Sequence, residues 1–239
     1  MENKFSGFCG LSEWNKPNDF DNSIELTEFL ENSRLYLDTI KDRFKRKETI
    51  SNERFDQIFD NEMRRVSSVH WTPVDVSLSI LELLDLDEES RVLDVGSGAG
   101  KFCLIGALNS KARFTGIEQR QYLVKFANKL VRDFRVNNAS FIFGNAIKLD
   151  WSCFDVIYLF NPYHENIMAA GLRIDLEIKV SHKKYRKLIL ATLNKLSQLK
   201  AGTKVITYYG FGEGLPENFK LISSVEAEAS QIDLWVKTK

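Results

Sequence analysis

The sequence predicts an α/β protein: a doubly wound, mostly parallel sheet of seven strands with helices on both faces, preceded by a helical appendage. From residue 91 onward, short apolar runs alternate with helical patterns, which is typical of parallel strands joined by right-handed crossovers. The last two strands follow each other too closely for such a crossover, so they must be antiparallel. This closing hairpin argues against a nicotinamide-dependent dehydrogenase, whose sheet is typically parallel throughout.

The first 67 residues are expected to form the appendage. The first twenty are read as a poorly determined arm, and helices are predicted over residues 23–47 and 52–66, where apolar residues recur at spacings of three and four. Charges of both signs fill the opposite faces. This pattern favours a solvated appendage, and a cover over the substrate cleft is the alternative.

A third helix is predicted just before the sheet. Thr72 is suited to cap it, Pro73 to occupy its first position, and Asp75 to complement the positive end of its dipole. The helix should continue to about residue 87. We therefore divide the chain into an arm and appendage over residues 1–67 and a sheet domain over residues 68–239.

The remaining elements follow in chain order. Strands are predicted at residues 91–95, 112–118, 140–143, 154–160, 203–209, 219–225 and 231–237. Helices are predicted after the first strand, from residue 119 to about 135, and from about 182 to 199. Between residues 172 and 180 every second residue is apolar, which suggests one additional short strand.

The charge balance disfavours a dedicated nucleic-acid binder. The 239 residues include 33 basic and 33 acidic side chains, so the formal net charge is zero, whereas phosphate binding usually requires a basic excess. A local basic patch remains possible. The basic run over residues 182–187 is read as a solvated helix start or, alternatively, as a contact for an acidic or phosphate-bearing substrate.

The spacing of the cysteines and the length of the apolar runs indicate the cellular location of the protein. Cys9, Cys103 and Cys153 are far apart and show no CxxC spacing, so neither a disulfide framework nor a metal site is expected. The N-terminal segment lacks an apolar core, and no run of about eighteen apolar residues occurs. We expect a cytoplasmic protein without membrane contact.

The strongest motif is the run Asp94-Val95-Gly96-Ser97-Gly98-Ala99-Gly100, which links a buried strand to a helix. Glycine allows positive φ and a close approach of the backbone to a ligand. The helix N-terminus adds free N–H groups. The dinucleotide fingerprint would require glycine at position 101, where this chain has lysine.

Other polar residues end the neighbouring strands. Glu118 ends the second strand, where a carboxylate can accept hydrogen bonds from both ribose hydroxyls. Gly144-Asn145-Ala146 follows the third strand, and Asn161-Pro162-Tyr163-His164 follows the fourth. Because parallel strands end at one edge of the sheet, these segments are expected to meet in one crevice.

Together these motifs resemble the class I S-adenosylmethionine (SAM)-dependent methyltransferase superfamily over about residues 70–239. The resemblance implies SAM as cofactor and a Rossmann-like methyltransferase fold. It implies a SAM site formed by Thr72, Asp94, Gly96, Ser97, Gly98, Gly100, Glu118, Gln119, Asn145, Ala146 and Asn161.

In that family the glycine turn holds the methionine part of SAM. The resemblance therefore implies that Asp94 helps to fix the amino-acid end, directly or through water, and that Gly96 and Gly98 admit the cofactor. Glu118 would bind the ribose hydroxyls.

The adenine end is implied in the same way. Gln119 would lie beside the ring, and Ala146 would offer its backbone N–H to it. Asn145 stands where the family often has aspartate.

Asn161-Pro162-Tyr163 resembles the Asn-Pro-Pro-Tyr motif of amino-group methyltransferases, although one proline is missing. In those enzymes the asparagine and a proline carbonyl hold the target nitrogen, and the aromatic ring packs on the substrate. The resemblance implies that Asn161, Pro162 and Tyr163 do so here, which slightly favours N-methylation. The neighbouring His164 is a candidate base, and Thr72-Pro73 resembles an element that closes over SAM.

Several alternatives stay open. Protein, RNA and small molecules are all possible methyl acceptors, and His70 and Tyr163 are further candidate bases. Tyr208 and Tyr209 either line the acceptor pocket or are ordinary strand aromatics. A non-catalytic SAM-fold binding protein and, less favoured, an NAD-dependent oxidoreductase are the rival functions.

Overall fold

The computed structural model describes residues 23–212, 214–228 and 230–239, with the backbone alone for residues 23–30. The predicted arm over the first twenty residues, with Cys9, lies outside the described residues. Along the described ranges, none of the helices has both the length and the apolar character needed to cross a membrane.

Helices and strands alternate as predicted after the first four helices. The helices are α1 (Ser23–Lys45), α2 (Asn52–Phe55), α3 (Asn61–His70), α4 (Val74–Leu84), α5 (Lys101–Asn109), α6 (Gln121–Asp133) and α7 (His182–Ser197). The strands are β1 (Arg91–Val95), β2 (Arg113–Glu118), β3 (Ala139–Phe143), β4 (Val156–Phe160), β5 (Lys204–Tyr208), β6 (Phe219–Ala227) and β7 (Ser230–Lys237).

The strands form one sheet in the order β3-β2-β1-β4-β5-β7-β6. The first five strands of that order are parallel, and β7 runs antiparallel to both β5 and β6. This confirms the predicted fold class. The order reverses between β1 and β4, and such a switch point opens a crevice at the carboxyl ends of the strands.

The N-terminal helices share a core with the sheet domain. Buried residues of α1, α2 and α3 form one apolar cluster with residues of α5 and α6. The ring centroids of Phe59 and Phe126, for example, lie 5.9 Å apart. The appendage therefore packs on the two helices that follow β1 and β2.

The helix predicted over residues 52–66 is not continuous, and this prediction is wrong. α2 ends at Phe55, a 3₁₀ turn follows over Asp56–Ile58, and α3 begins at Asn61. The break occurs because Asp60 is extended and its Oδ1 accepts a hydrogen bond from the Met63 N–H at 2.8 Å. Asp60 thus caps a new helix.

The predicted start of the helix before the sheet is also wrong by one residue. α4 begins at Val74, with Pro73 in the capping position. The Thr72 hydroxyl pairs with the Tyr158 hydroxyl at 2.7 Å, so it does not cap the helix. The Val74 N–H donates to Asn52 Oδ1 at 2.7 Å instead.

The additional strand suggested between residues 172 and 180 does not form. The segment contains a 3₁₀ turn at Ala170–Leu172 followed by bends, and Leu176 is 71% exposed. The segment is held by side chains rather than by a strand ladder. The Ile174 N–H, for instance, donates to Glu165 Oε1 at 2.9 Å.

Candidate functional site

A cavity of about 810 Å³ lies at the carboxyl edge of the sheet. The glycine turn after β1, the end of β2, and the segments after β3, β4 and β5 all contribute to its wall. Residues 68–71, at the end of α3, line it as well. The strand-end segments that the sequence analysis expected to converge therefore do meet in one crevice.

The predicted site residues fall into three groups. The cavity is lined by Gly96, Gly98, Glu118, Gln119, Asn145, Ala146, Asn161, Pro162, Tyr163 and His164. A second cavity of about 20 Å³ shares Gly96 with the first and is lined by Thr72, Asp94 and Ser97. Gly100 lines neither cavity; a Cβ at this position would lie 2.5 Å from the Phe141 ring, so glycine here lets α5 pack against β3.

Two glycines of the turn have different physical roles. Both have positive φ, +83° at Gly96 and +54° at Gly98. A Cβ added to Gly98 would lie 2.0 Å from the Trp71 ring, whereas a Cβ on Gly96 would meet no atom within 4 Å. Gly98 therefore permits the close approach of Trp71, and Gly96 keeps its backbone exposed to the cavity.

Glu118 faces this turn from the end of β2. It is 5% exposed, and its two carboxylate oxygens accept hydrogen bonds from the Gly98 N–H at 3.2 Å and the Arg120 N–H at 2.9 Å. Burial raises the pKa of Glu118, and the neighbouring Arg120 guanidinium opposes that rise. The carboxylate is thus oriented by backbone N–H groups of the glycine turn and of the segment that follows β2.

Arg120 connects Glu118 to the segment after β4. Its guanidinium lies 3.9 Å from Glu118, bonds both oxygens of Glu165 at 2.8 Å, and bonds Asp175 at 2.6 Å. The Tyr122 hydroxyl donates to the same Asp175 carboxylate at 2.8 Å. These contacts fasten the irregular segment after β4 to the end of β2.

Asp94 lies below the glycine turn and is 5% exposed. The Cys103 thiol lies 3.6 Å from its carboxylate. Burial raises the pKa of Asp94 to about 7. The Ser97 hydroxyl, which lines the same small cavity, has no hydrogen-bond partner among the described residues. This cavity is therefore suited to a group that donates hydrogen bonds or carries positive charge.

The loop after β4 has an unusual backbone. Asn161 and Tyr163 have φ values of +40° and +73°, a region that side-chain-bearing residues seldom adopt and that is often found at functional sites. The Tyr163 hydroxyl accepts a hydrogen bond from Thr192 at 3.2 Å, and burial raises its pKa to about 12. Tyr163 is therefore neutral at physiological pH.

The two histidines differ in their surroundings. His70 Nε2 contacts the Leu172 carbonyl at 2.7 Å, and burial lowers the pKa of His70. It is thus engaged in holding the segment after β4. His164 is exposed at the cavity wall, next to the loop residues 161–163.

Sequence reasoning missed several cavity residues. Trp71, Arg120, Asn166 and Glu228 line the cavity, but none belongs to a recognisable motif. The adjacent Thr72-Pro73 pair, which resembles an element that closes over SAM, could have indicated that Trp71 lies near the site. Glu228, in the turn between β6 and β7, had no sequence signal. The turn reaches the crevice because β7 pairs with β5, and this long-range pairing is not visible around residue 228.

Comparisons with known proteins agree with this geometry. A family model described as a methyltransferase domain matches residues 86–222. No curated protein sequence matches the chain.

Solved structures show the same fold. An RNA methyltransferase from Salinibacter ruber, in complex with S-adenosyl-L-homocysteine, is 26% identical over 70% of this chain and 94% of its own, with a TM-score of 0.51. The putative methyltransferase yhhF from Escherichia coli is 16% identical over 69% of this chain and 85% of its own, with a TM-score of 0.52. TrmN from Thermus thermophilus is 18% identical over 73% of this chain and 52% of its own, also with a TM-score of 0.52.

The matched region begins just before β1 and ends within β6, so it contains the glycine turn, Glu118 and the loop after β4. It spans more than half of the 239 residues. The chain therefore belongs to the methyltransferase-domain family, within the class I SAM-dependent methyltransferases, and is an enzyme that uses SAM as its cofactor.

Proposed function

We propose that the chain holds SAM between the glycine turn and Glu118 and transfers its methyl group to a nitrogen atom presented at residues 161–164. One observation carries this proposal: the cavity of about 810 Å³ is lined both by Gly96, Gly98 and Glu118 and by the loop after β4. Because alignment of the reactants can supply much of the rate of such a displacement, donor and acceptor need to share one enclosed space.

The residues present fit the cofactor. Gly96 leaves open space beside its backbone, and Ser97 offers a hydroxyl without a partner among the described residues. Asp94 and Ser97 would hold the amino-acid end through a water, because the small cavity that they share with Thr72 has a volume of about 20 Å³. When bound, SAM supplies an electrophilic methyl group on a sulfonium sulfur.

Glu118 retains the capacity to bind a ribose. Its oxygens accept backbone hydrogen bonds from Gly98 and Arg120 and also from Gln119, whereas a carboxylate offers about four lone-pair sites. At least one site thus remains for a hydroxyl of the sugar. Gln119, Asn145 and Ala146, which line the adjoining wall, would contact the adenine.

On the acceptor side, Asn161 and the Pro162 carbonyl would accept hydrogen bonds from the target nitrogen. Tyr163 would pack its ring on the acceptor rather than remove a proton, because its raised pKa keeps the hydroxyl neutral. A base is needed only when the nucleophile starts protonated. His164, exposed at the cavity wall, would then accept the proton.

An RNA acceptor is the second candidate. It is supported by the 26% identity to the RNA methyltransferase from Salinibacter ruber. It is also supported by Lys184, a member of the basic run over residues 182–187, which lines the cavity.

We propose a cytoplasmic location. Cys103 and Cys153 are both free thiols, which suits a reducing compartment.

Calorimetric titration with S-adenosyl-L-homocysteine tests the cofactor site. Glu118→Gln should raise the Kd at least about tenfold, because hydrogen bonds to a charged carboxylate are roughly twice as strong as neutral ones. The matched control is Glu88→Gln, since Glu88 is exposed, lies 3.9 Å from Lys111, and does not line the cavity. Its Kd should equal that of the wild type. Failure of the wild-type protein to bind would refute the proposed site.

The acceptor class requires a separate assay. Wild-type protein and Glu118→Gln would be incubated with tritiated SAM and a cell lysate that is afterwards divided into protein, RNA and small-molecule fractions. We expect label on nitrogen in one fraction, and its loss with Glu118→Gln. Label on oxygen or carbon alone would contradict the nitrogen acceptor.

A further inference from the structure

One side of the cavity has a continuous aromatic wall. The ring centroid of Phe160 lies 5.1 Å from that of Tyr208 and 5.9 Å from that of Tyr209, and the two tyrosine rings are 4.7 Å apart. All three side chains line the cavity. Tyr208 is 1% exposed and Tyr209 43% exposed, so the wall runs from the interior to the solvent. We call this wall, together with Glu228, which lines the cavity, and its neighbour Asp75, which lies outside the lining, the cavity mouth.

The carboxylates of the cavity mouth come from separate elements. Glu228 lies in the turn between β6 and β7, and Asp75 in the first turn of α4. Burial raises the pKa of Glu228, and the nearby Asp75 carboxylate raises it further. Two like charges held close together destabilise each other. A cation bound beside Glu228, which lines the cavity, would relieve that repulsion.

Lys101, the cation that lowers the pKa of Glu228, is already committed to other partners. Its ammonium is 2% exposed and bonds Asp56 at 2.7 Å and Asn52 at 3.1 Å. Among the residues of the cavity mouth, which do not include Lys184, the carboxylates thus leave negative charge beside aromatic faces. Aromatic faces attract cations, so both features favour the same kind of ligand.

An independent observation comes from the loop after β4. Asn166 lines the cavity and is 6% exposed. Its Nδ2 donates to the Tyr163 carbonyl at 2.8 Å, whereas its Oδ1 has no hydrogen-bond partner in the described part of the chain. A buried acceptor without a partner is costly. A ligand that donates an N–H to this oxygen would satisfy it.

We propose that the methyl acceptor is a primary alkylammonium group, drawn to the cavity by Glu228 and Asp75, enclosed by Phe160, Tyr208 and Tyr209, and hydrogen-bonded to Asn166 Oδ1. The inference rests on the proposed SAM site and names the substrate class of that site. A lysine side chain and a polyamine both carry this chemistry. Because Tyr209 and Glu228 are exposed, the group can enter from solvent while it remains attached to a larger molecule.

The reaction balances without another reactant. The ammonium first loses one proton to His164, which is exposed at the cavity wall and passes the proton on to bulk water. The freed nitrogen lone pair then bonds to the methyl carbon, and the electron pair of the carbon–sulfur bond stays on sulfur. The positive charge of the sulfonium thus passes to the methylated nitrogen, and one proton is released per turnover.

Binding can test the inference separately from activity. Full-length protein saturated with S-adenosyl-L-homocysteine would be titrated with n-butylamine and with n-butanol, which has nearly the same shape but no charge. The amine should bind at least about tenfold more tightly, because hydrogen bonds and ring contacts to a cation are stronger than those to a neutral group. Equal affinities for the two would overturn the proposal.

Variants and substrates extend the test. Two substrates would be used: a peptide with an acetylated N-terminus and a free lysine side chain, and spermidine. Glu228→Gln and Tyr209→Ala should each raise the KM for either substrate at least about fivefold, while the Kd for S-adenosyl-L-homocysteine stays unchanged. Glu226→Gln, an exposed residue of β6 outside the cavity lining, is the matched control and should leave KM unchanged. The peptide and spermidine arms distinguish the two sources of the amine.

Two outcomes would count against the inference in different ways. Label confined to an RNA transcript, with S-adenosyl-L-homocysteine still bound, would overturn the alkylammonium acceptor and leave the cofactor site intact. Absence of S-adenosyl-L-homocysteine binding in the wild-type protein would overturn the proposed function on which the inference rests.

Discussion

At the scale of residues, Asp94 is a buried carboxyl group whose charge depends on pH near neutrality. Burial raises its pKa from 3.8 in a model peptide to about 7, so the folded protein keeps a proton that the unfolded chain loses between these pH values. The stabilisation is complete below about pH 3.8 and is lost as the pH rises through 7. Above pH 7 a buried negative charge opposes folding.

Asp94→Asn should therefore make the protein without SAM more stable at pH 8. The melting temperature of the variant should exceed that of the wild type there, and the difference should shrink as the pH falls toward 4. Its Kd for S-adenosyl-L-homocysteine should rise, since the charged partner of the amino-acid end is gone. Calorimetric melting over a pH series measures the first effect. A difference in melting temperature that does not vary with pH would contradict the assignment.

Alanine substitutions at Gly96 and Gly202 can be compared directly, because both should strain the backbone to the same extent. Their φ values are +83° and +85°, and a Cβ on either would meet no atom within 4 Å. Alanine at either position should thus lower the free energy of unfolding by about 1–2 kcal/mol. Only Gly96 lines the cavity, so only Gly96→Ala should also weaken S-adenosyl-L-homocysteine binding. Equal affinities in the two variants would remove Gly96 from the cofactor site.

The residues that could be predicted are those whose signal is local in sequence. The glycine turn and Glu118 follow short apolar strands at the expected places. Arg120 gave no such signal because its partners Glu165 and Asp175 lie 45 and 55 residues further along the chain. The feature that distinguishes Asn166 is an Oδ1 without a hydrogen-bond partner among the described residues, and such an absence leaves no sequence pattern.

At the scale of elements, a buried ion pair joins the appendage to the glycine turn. Lys101 begins α5 immediately after Gly100, and its ammonium bonds Asp56, which also accepts a hydrogen bond from Ser67. Position 101 is where a dinucleotide fingerprint would require glycine. Here its side chain connects α5 to the segment after α2.

Lys101→Met should destabilise the protein by about 3–5 kcal/mol, because the substitution leaves the Asp56 carboxylate buried without its cation. The double variant Lys101→Met with Asp56→Leu should recover part of this loss. Denaturant unfolding measures both. The exposed pair of Lys111 and Glu88, 3.9 Å apart, is the control: Lys111→Met should cost less than about 1 kcal/mol. Equal costs for the two lysine variants would contradict a structural role for the buried pair.

Helices and strands could be predicted from the sequence where the spacing of apolar residues and the length of the segment indicated the same kind of element. All seven strands lie close to their predicted positions. The helix over residues 52–66 was predicted as continuous because its apolar face is continuous, whereas the break is set by the capping of Asp60. The segment from 172 to 180 alternates like a strand, yet side-chain bonds to Arg120 and Glu165 hold it in an irregular form.

At the scale of the molecule, residues 1–67 and 68–239 remain our proposed division of the chain, but we expect the described appendage to unfold together with the sheet. Its apolar residues and those of α5 and α6 form one cluster. Removal of α1, α2 and most of α3 would expose that cluster to water. A chain that begins at residue 68 should therefore aggregate or remain unfolded.

Differential scanning calorimetry of the full chain measures this directly, with one transition as the expected result. Binding of S-adenosyl-L-homocysteine should shift that whole transition upward, because a ligand that binds only the folded state stabilises every element that unfolds with it. Two transitions, of which only the later one moves with ligand, would show that the appendage unfolds separately.

The contact between Trp71 and the glycine turn has an evolutionary consequence. Because the indole ring occupies the space that a Cβ at position 98 would need, a mutation at one position changes what selection tolerates at the other. Lineages that replace the indole with a smaller side chain gain room for alanine at 98, and lineages that keep the indole do not. Substitutions at these two positions, 27 residues apart in the chain, should therefore occur together during divergence.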